Sequence, residues 1–230
     1  MNTIIVEGLI GSGKSSLCTQ LAEELGEGTL LLLEPDEQEN ANPYLSVFYG
    51  NIRRWCFTMQ VHLLQRRFQM QLLAQQHVLN NRGNAVIDRS FQGDTCFARM
   101  HAEYGTLQLK EYQTYCELYH AMTAFVLAPN VCLRVMTTPG TALKRIHARA
   151  EKRDGRKCES KLDVDYLERL DDEIGLMMER LPSTVHIENV AWDADRDTPD
   201  QRLATVQGLA QRIKRLKLDD PLLRLHPRTT

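Results

Sequence analysis

The stretch Gly8-Leu9-Ile10-Gly11-Ser12-Gly13-Lys14-Ser15 decides the fold. It satisfies the pattern G-x-x-x-x-G-K-[ST]. Before it stands Thr3-Ile4-Ile5-Val6, a short β-branched run that predicts a buried strand. After it, Leu17, Leu21 and Leu25 recur at helical spacing until Gly26 supplies a stop. Strand, glycine loop and helix form the context in which the pattern marks a phosphate cradle. Glycines let consecutive backbone N–H groups converge on one anion, and the helix N-terminus adds a partial positive charge. Lys14 brings a full charge to the outer phosphates, and the Ser15 hydroxyl is a candidate ligand for Mg²⁺. The candidate nucleotide-binding residues are Gly8, Leu9, Ile10, Gly11, Ser12, Gly13, Lys14, Ser15 and Ser16.

Outward from this loop, four more short apolar runs predict strands: Leu30 to Leu33, Ala85 to Ile87, Asn130 to Met136, and Thr184 to Ile187. Helical patterns lie between them. The alternation predicts an α/β protein with a five-stranded parallel sheet and helices on both faces. Two helical stretches are long. One runs from about Arg54 to Leu79 with a stripe at Phe57, Val61, Leu64, Phe68 and Leu72. The other runs from about Leu109 to Val126 with Tyr112, Cys116, Tyr119 and Thr123. Both stripes predict packing against the sheet or a partner subunit.

A chain of 230 residues with no repeat or linker predicts one domain over residues 1–220 and a loose tail over 221–230. Its 43% hydrophobic and 25% charged residues exclude a disordered chain. A net charge of -2 argues against a nucleic-acid polymer or an anionic membrane as partner. No apolar run approaches membrane-spanning length, and no basic region precedes the first apolar run, so neither a span nor a leader is expected. Cys18, Cys56, Cys96, Cys116, Cys132 and Cys158 are scattered without a C-x-x-C pair. That spacing predicts reduced thiols in a cytoplasmic setting and no zinc site.

The loop implies a nucleoside triphosphate but not its fate. No N-K-x-D guanine motif is present, and the chain is short for a motor, so small-molecule kinases lead. In open α/β sheets the ligand sits beyond the carboxyl ends of the strands. Glu34 ends the second predicted strand, and Asp88-Arg89 ends the third. Asp88 is placed for Mg²⁺. Glu34 is placed to take a proton from an attacking hydroxyl. Arg89 is placed to keep Glu34 ionised and to touch the transferring group. The segment Lys144 to Lys161 holds eight Lys or Arg and three acidic residues, and it reads as a cationic lid spanning about 144–162.

Together these residues resemble the deoxynucleoside kinase family, a P-loop kinase fold with a basic lid. Glu34-Pro35 matches its E-P motif, whose Glu is the general base for the 5′-hydroxyl. Arg54-Trp55-Cys56-Phe57-Thr58-Met59-Gln60 is similar to the R-W-x-F-T-x-Q helix, whose Gln reads the base. Asp88-Arg89-Ser90 corresponds to [DE]-R-S, and Thr138-Pro139 through Arg145-Ile146 to the entry of the lid. In that lid Arg145 and Arg149 fit the arginine spacing, Glu151 departs from it, and Arg153 or Arg156 substitutes. Asp165-Tyr166-Leu167-Glu168-Arg169-Leu170 matches Y-L-E-x-L, which implies Glu168, with Tyr49, on the sugar 3′-hydroxyl.

Gln60, Leu63 and Arg67 share one helix face at i, i+3 and i+7. The resemblance puts Arg67 and Asp94 where purine- and deoxycytidine-selective members keep an Arg–Asp pair, which implies those bases over thymidine. Phe48 and Phe91 are candidates to sandwich the base, or to fill the core. The adenine of the donor is expected near Asn189 to Asp195. The resemblance thus implies transfer of phosphate from ATP, with Mg²⁺, to a deoxynucleoside 5′-hydroxyl in nucleotide salvage. It also implies a homodimer paired through long helices. The rivals are a nucleoside monophosphate kinase of thymidylate kinase type and a non-catalytic nucleotide-binding regulator.

Overall fold

Five parallel strands lie in the order β2-β3-β1-β4-β5. They are β1 (Thr3–Glu7), β2 (Leu30–Leu32), β3 (Ala85–Asp88), β4 (Val131–Met136) and β5 (His186–Ala191). The computed structural model describes residues 1–34, 42–152, 159, 161–193 and 196–216. Every residue of β1 and β3 is buried, as a central parallel strand covered on both faces requires. β5 is an edge strand and mostly exposed. Polar His186, Glu188 and Asn189 interrupt its apolar residues, which explains why the apolar run Thr184 to Ile187 marks only its beginning. The tail from 221 lies outside the described residues, as does Cys158.

Eight helices complete the described chain: α1 (Lys14–Leu25), α2 (Leu45–Gly50), α3 (Ile52–Leu79), α4 (Phe91–Glu103), α5 (Leu109–Thr123), α6 (Pro139–Lys152), α7 (Val164–Glu179) and α8 (Pro199–Arg215). On one face of the sheet Leu17 and Leu21 of α1 pack with Leu209 and Ile213 of α8 over Ile4 and Val6. On the other face Met70 and Ala74 of α3, Met100 of α4, Ile146 of α6 and Leu170 of α7 enclose Ile5 and Ile87. A third cluster joins Leu64 of α3, Phe91 of α4 and Tyr115 of α5 away from the sheet. No helix among the described residues is long and apolar enough to cross a membrane.

The helices that carry site residues start at defined caps. Ser90 accepts from the Gly93 N–H at 2.8 Å to open α4, and Asp163 accepts from Tyr166 N–H at 2.8 Å to open α7. Asn51 opens α3 by accepting from Arg54 N–H at 3.1 Å. The buried face of α3 is not the expected stripe. Phe57, Val61, Phe68 and Leu72 are half-buried, whereas Cys56, Met59, Gln60, Leu63, Leu64, Arg67, Met70, Gln71 and Ala74 are buried. The reason is functional: one side of this helix packs on protein, and the adjoining side turns polar groups into a cleft. On α5 only Tyr115 is buried, and Tyr112, Cys116, Tyr119 and Thr123 are half-buried.

Candidate active site

A cleft of about 1350 Å³ runs along the carboxyl ends of the strands. That exceeds the roughly 300–1,000 Å³ of a one-ligand pocket, so two reactants fit. At one end lies the phosphate loop. Gly11 has φ 76° and Gly13 has φ 94°, both left-handed, and a Cβ on Gly11 would meet the Ala142 carbonyl oxygen at 2.7 Å. Lys14 is buried and its Nζ donates to the Leu9 carbonyl at 2.8 Å. Burial, then the charge of Arg89, lowers its pKa to about 8 against the opposing pull of Asp88 and Glu34.

The Ser15 hydroxyl donates to Asp88 Oδ2 at 2.5 Å, and Asp88 Oδ1 is buried without a hydrogen-bond partner. Burial raises the Asp88 pKa although Lys14 opposes it. A hydroxyl beside an orphaned carboxylate oxygen fits a hydrated divalent cation: Ser15 and Asp88 would hold Mg²⁺ here, and it would supply charge to the phosphates.

Arg89 follows Asp88 with φ 65°, a left-handed backbone that a non-glycine residue adopts at a cost. Its Nη2 donates to the Gly8 carbonyl at 3.3 Å, and its Nε lies 3.5 Å from Glu34 Oε1. Nη1 lies 3.9 Å from Glu7 Oε2, so the guanidinium is set between two carboxylates, and neither Nε nor Nη1 makes a hydrogen bond. Sequence reasoning missed the residue that anchors this turn. Glu7, at the end of β1 and wholly buried, accepts from the Ser90 N–H at 2.7 Å and from the Ser90 hydroxyl at 2.6 Å. The signal was an acidic residue ending a buried strand just before the glycine loop.

Glu34 keeps 35% of its side-chain surface open to the cleft, yet cations ring it. Burial pushes its carboxyl up. Arg89, Arg67 and Lys14 outweigh burial and hold it at about 2. Arg67 Nη2 donates to Glu34 Oε1 at 2.5 Å, while Nη1 pairs with Asp94 Oδ1. The other oxygen of Asp94 accepts from the Tyr115 hydroxyl at 2.5 Å. Burial raises the Asp94 pKa, and Arg67 and Tyr115 oppose it. Gln60 also lines the cleft, and its buried Oε1 has no partner. The Phe97 ring lies beneath two guanidiniums, with Arg89 Cζ at 4.8 Å from its centroid and Arg67 Cζ at 5.7 Å.

Phe48 and Tyr49 line the cleft with Phe97. Phe91 does not: it is fully buried and stacks on Tyr119 at 4.6 Å, so it belongs to the core. Glu168 is a correction. It is exposed and not among the cleft-lining residues, because Leu167, Leu170 and Ile174 set the inward face of α7 and turn position 168 to solvent. The carboxylate brought to the cleft is Glu159, which is 3% exposed.

From the lid, Arg149 Nη2 donates to Glu159 at 2.6 Å, and Arg145 Nη2 donates to Asp193 at 2.5 Å. Both arginines line the cleft. Arg153 and Arg156 lie outside the described residues, as do Pro35 and positions 194 and 195 of the expected adenine loop. Asn189 to Ala191 belong to β5.

A phosphate cradle, a candidate cation pair and an ionised carboxylate thus face one cleft, the arrangement of a small-molecule phosphotransferase. The deoxynucleoside kinase profile matches residues 4–207. A deoxyadenosine kinase of Dictyostelium discoideum is 31% identical over 211 residues, covering 92% of this chain and 77% of that one. A deoxyadenosine/deoxycytidine kinase of Bacillus subtilis (strain 168) is 36% identical over 173 residues, covering 74% and 73%. A solved deoxyadenosine kinase structure from M. mycoides shares the fold with TM-score 0.72 at 21% identity, covering 93% of this chain and 100% of that one. The chain belongs to the deoxynucleoside kinase family. It is an enzyme that phosphorylates a deoxynucleoside to its monophosphate. That assignment decides against both the nucleoside monophosphate kinase and the non-catalytic regulator.

Proposed function

We propose that the enzyme transfers the γ-phosphoryl group of ATP, with Mg²⁺, to the 5′-hydroxyl of a purine deoxynucleoside or deoxycytidine. Glu34 takes the hydroxyl proton. Lys14 and the loop amides grip the phosphates, Ser15 and Asp88 hold the cation, and Arg89, Arg145 and Arg149 meet charge on the moving group. A carboxylate at a pKa of about 2 is a weak base. Phosphates that engage Lys14 and Arg89 offset those cations, so Glu34 becomes more basic once both reactants are in place.

The observation that carries this reading is the Glu34 carboxylate set among Lys14, Arg67 and Arg89 in the same cleft as the Ser15–Asp88 pair. Gln60 and the Arg67–Asp94 pair support base reading. A buried site built for hydrogen bonds rejects a base that leaves them unmet. The names of the relatives, deoxyadenosine and deoxyguanosine kinases among them, favour the same bases. Tyr49 and Glu159 hold the sugar. The product enters nucleotide salvage in the cytoplasm. Exposed Leu73 and Leu79 on α3, Leu109 on α5 and Phe125 just after it support pairing with a second copy.

Glu34→Gln tests the base. It keeps ATP affinity within about twofold and lowers turnover at least about 10²-fold. Wild-type turnover in that variant would remove Glu34 from the chemistry.

A further inference from the structure

One peptide unit of the phosphate loop, Ser12–Gly13, is oriented from outside the loop. Before it, the Ser12 N–H donates to the Leu9 carbonyl at 3.2 Å, and after it the Gly13 carbonyl accepts from the Leu17 N–H at 3.1 Å. Both are main-chain bonds made within the loop and the first turn of α1. The unit between them is held differently. Its carbonyl, that of Ser12, accepts from two side chains far along the chain, Thr137 Oγ1 at 3.3 Å and Arg145 Nη1 at 3.4 Å. Thr137 immediately follows β4, and Arg145 lies on α6.

The loop's own backbone does not fix this unit. Turning one peptide plane over changes ψ of the residue before it and φ of the residue after it. The residue after it is Gly13, at φ 94°, and glycine takes either sign of φ without steric cost. The two orientations present opposite groups to a phosphate. A trans peptide points its carbonyl and its N–H in opposite directions. Thr137 does not line the cleft and Gly13 does. Drawing the Ser12 oxygen to Thr137 therefore turns the Gly13 N–H towards the cleft, where it is a donor to an anion. Turned over, the same unit would offer that anion an oxygen. The other side of Gly13 is walled. A Cβ there would meet Trp192 Cδ1 at 3.2 Å and Nε1 at 3.4 Å, and Trp192 is 2% exposed among Leu17, Val135 and Val206.

Of the two donors to Ser12, Thr137 is the constant one. Arg145 also donates to Asp193 at 2.5 Å and is one of the arginines set to meet the moving group. When it turns to a phosphoryl oxygen, the Ser12 carbonyl keeps Thr137. Resting on ATP as the donor at this loop, we propose that Thr137 is a positioning residue: by holding the Ser12 carbonyl it aims the Gly13 N–H at the donor phosphates and so sets ATP affinity.

Thr137→Val removes the hydroxyl and keeps the shape. ATP binding, read by isothermal titration, is expected to weaken about five- to tenfold, as the loss of one such bond implies. KM for the deoxynucleoside stays within about twofold of wild type, because the acceptor does not touch this peptide. Thr137→Ser restores the hydroxyl and returns ATP affinity to within about twofold of wild type. Thr137→Ala replaces the valine variant if that protein does not fold. A general loosening of the fold would instead lower the melting temperature and weaken donor and acceptor alike. Unchanged ATP affinity in the valine variant, equal losses for the two substrates, or no rescue by serine overturns the proposal. Wild-type enzyme that binds no ATP overturns the reading of the loop itself, and the same titration shows that failure before any variant is made.

Discussion

Arg67 and Glu34 are joined at 2.5 Å although 33 positions separate them in the chain. The side chain that pairs with Asp94, the proposed reader of the nucleobase, therefore also sets the charge state of the proposed general base. Removing it acts on both functions at once. Arg67→Met weakens the pull that holds Glu34 at about 2, so the carboxyl pKa rises. A general base works deprotonated, and activity falls as pH drops through its pKa. The acidic limb of kcat/KM against pH accordingly moves to higher pH. Selectivity against thymidine falls by at least about tenfold in the same variant. An unmoved limb would disconnect Arg67 from Glu34 in solution.

Lys14 gives a prediction at the other end of the pH range. Its pKa is lowered to about 8, chiefly by burial. Triphosphate binding favours the charged amine, so ATP affinity weakens as pH rises through about 8. Lys14→Arg keeps its charge there, so whatever affinity it retains does not fall over that range. Isothermal titration at pH 7 and pH 9 reads the difference, and equal slopes for the two proteins would rule this account out.

Asp88 Oδ1 is the orphaned acceptor at the candidate cation site. Asp88→Asn removes charge and keeps shape. The Mg²⁺ concentration for half-maximal turnover rises at least about tenfold, while metal-free ATP binding changes little. A magnesium titration of initial rate checks it. An unaltered midpoint would assign the cation elsewhere.

Gly93 tests the anchor under the Arg89 turn. A Cβ at this position would stand 2.4 Å from Glu7 Oε1 and 2.7 Å from its Cδ. Glu7 is wholly buried and held by Ser90, so it has no room to retreat. Gly93→Ala is expected to cost about 1–3 kcal/mol, read as a lower melting temperature, with a larger loss of turnover than stability alone explains. A variant as stable as wild type would show that Glu7 is free to move.

The phosphate loop and the first three strands were legible in sequence because their signals are local: glycine spacing, β-branched runs buried on both faces in β1 and β3, and an unbroken leucine run in β2. Glu34, Arg67, Asp88, Arg89 and Asp94 were named from strand ends and motif order; the fold brings the first four to one cleft and buries Asp94 behind Arg67. Position 168 failed because a motif match carries no helical phase, and the leucines of α7 fix that phase. Glu159 was invisible for the converse reason: it stands in a charged segment whose composition suggests solvent. The stripe on α3 misled because a helix that lines a cleft buries Gln60 and Arg67, which no apolar periodicity reveals. Edge strand β5 was truncated because Glu188 and Asn189 interrupt its apolar run.

Arg89 holds φ 65° where glycine would rest without strain. The strain is of order 1–3 kcal/mol. Arg89→Gly would relax the main chain but leave a hole beneath the phosphate loop and strip the acids Glu7 and Glu34 of their shared cation. At this turn an awkward backbone is the condition for lodging a guanidinium between two acids, and the protein has kept the guanidinium.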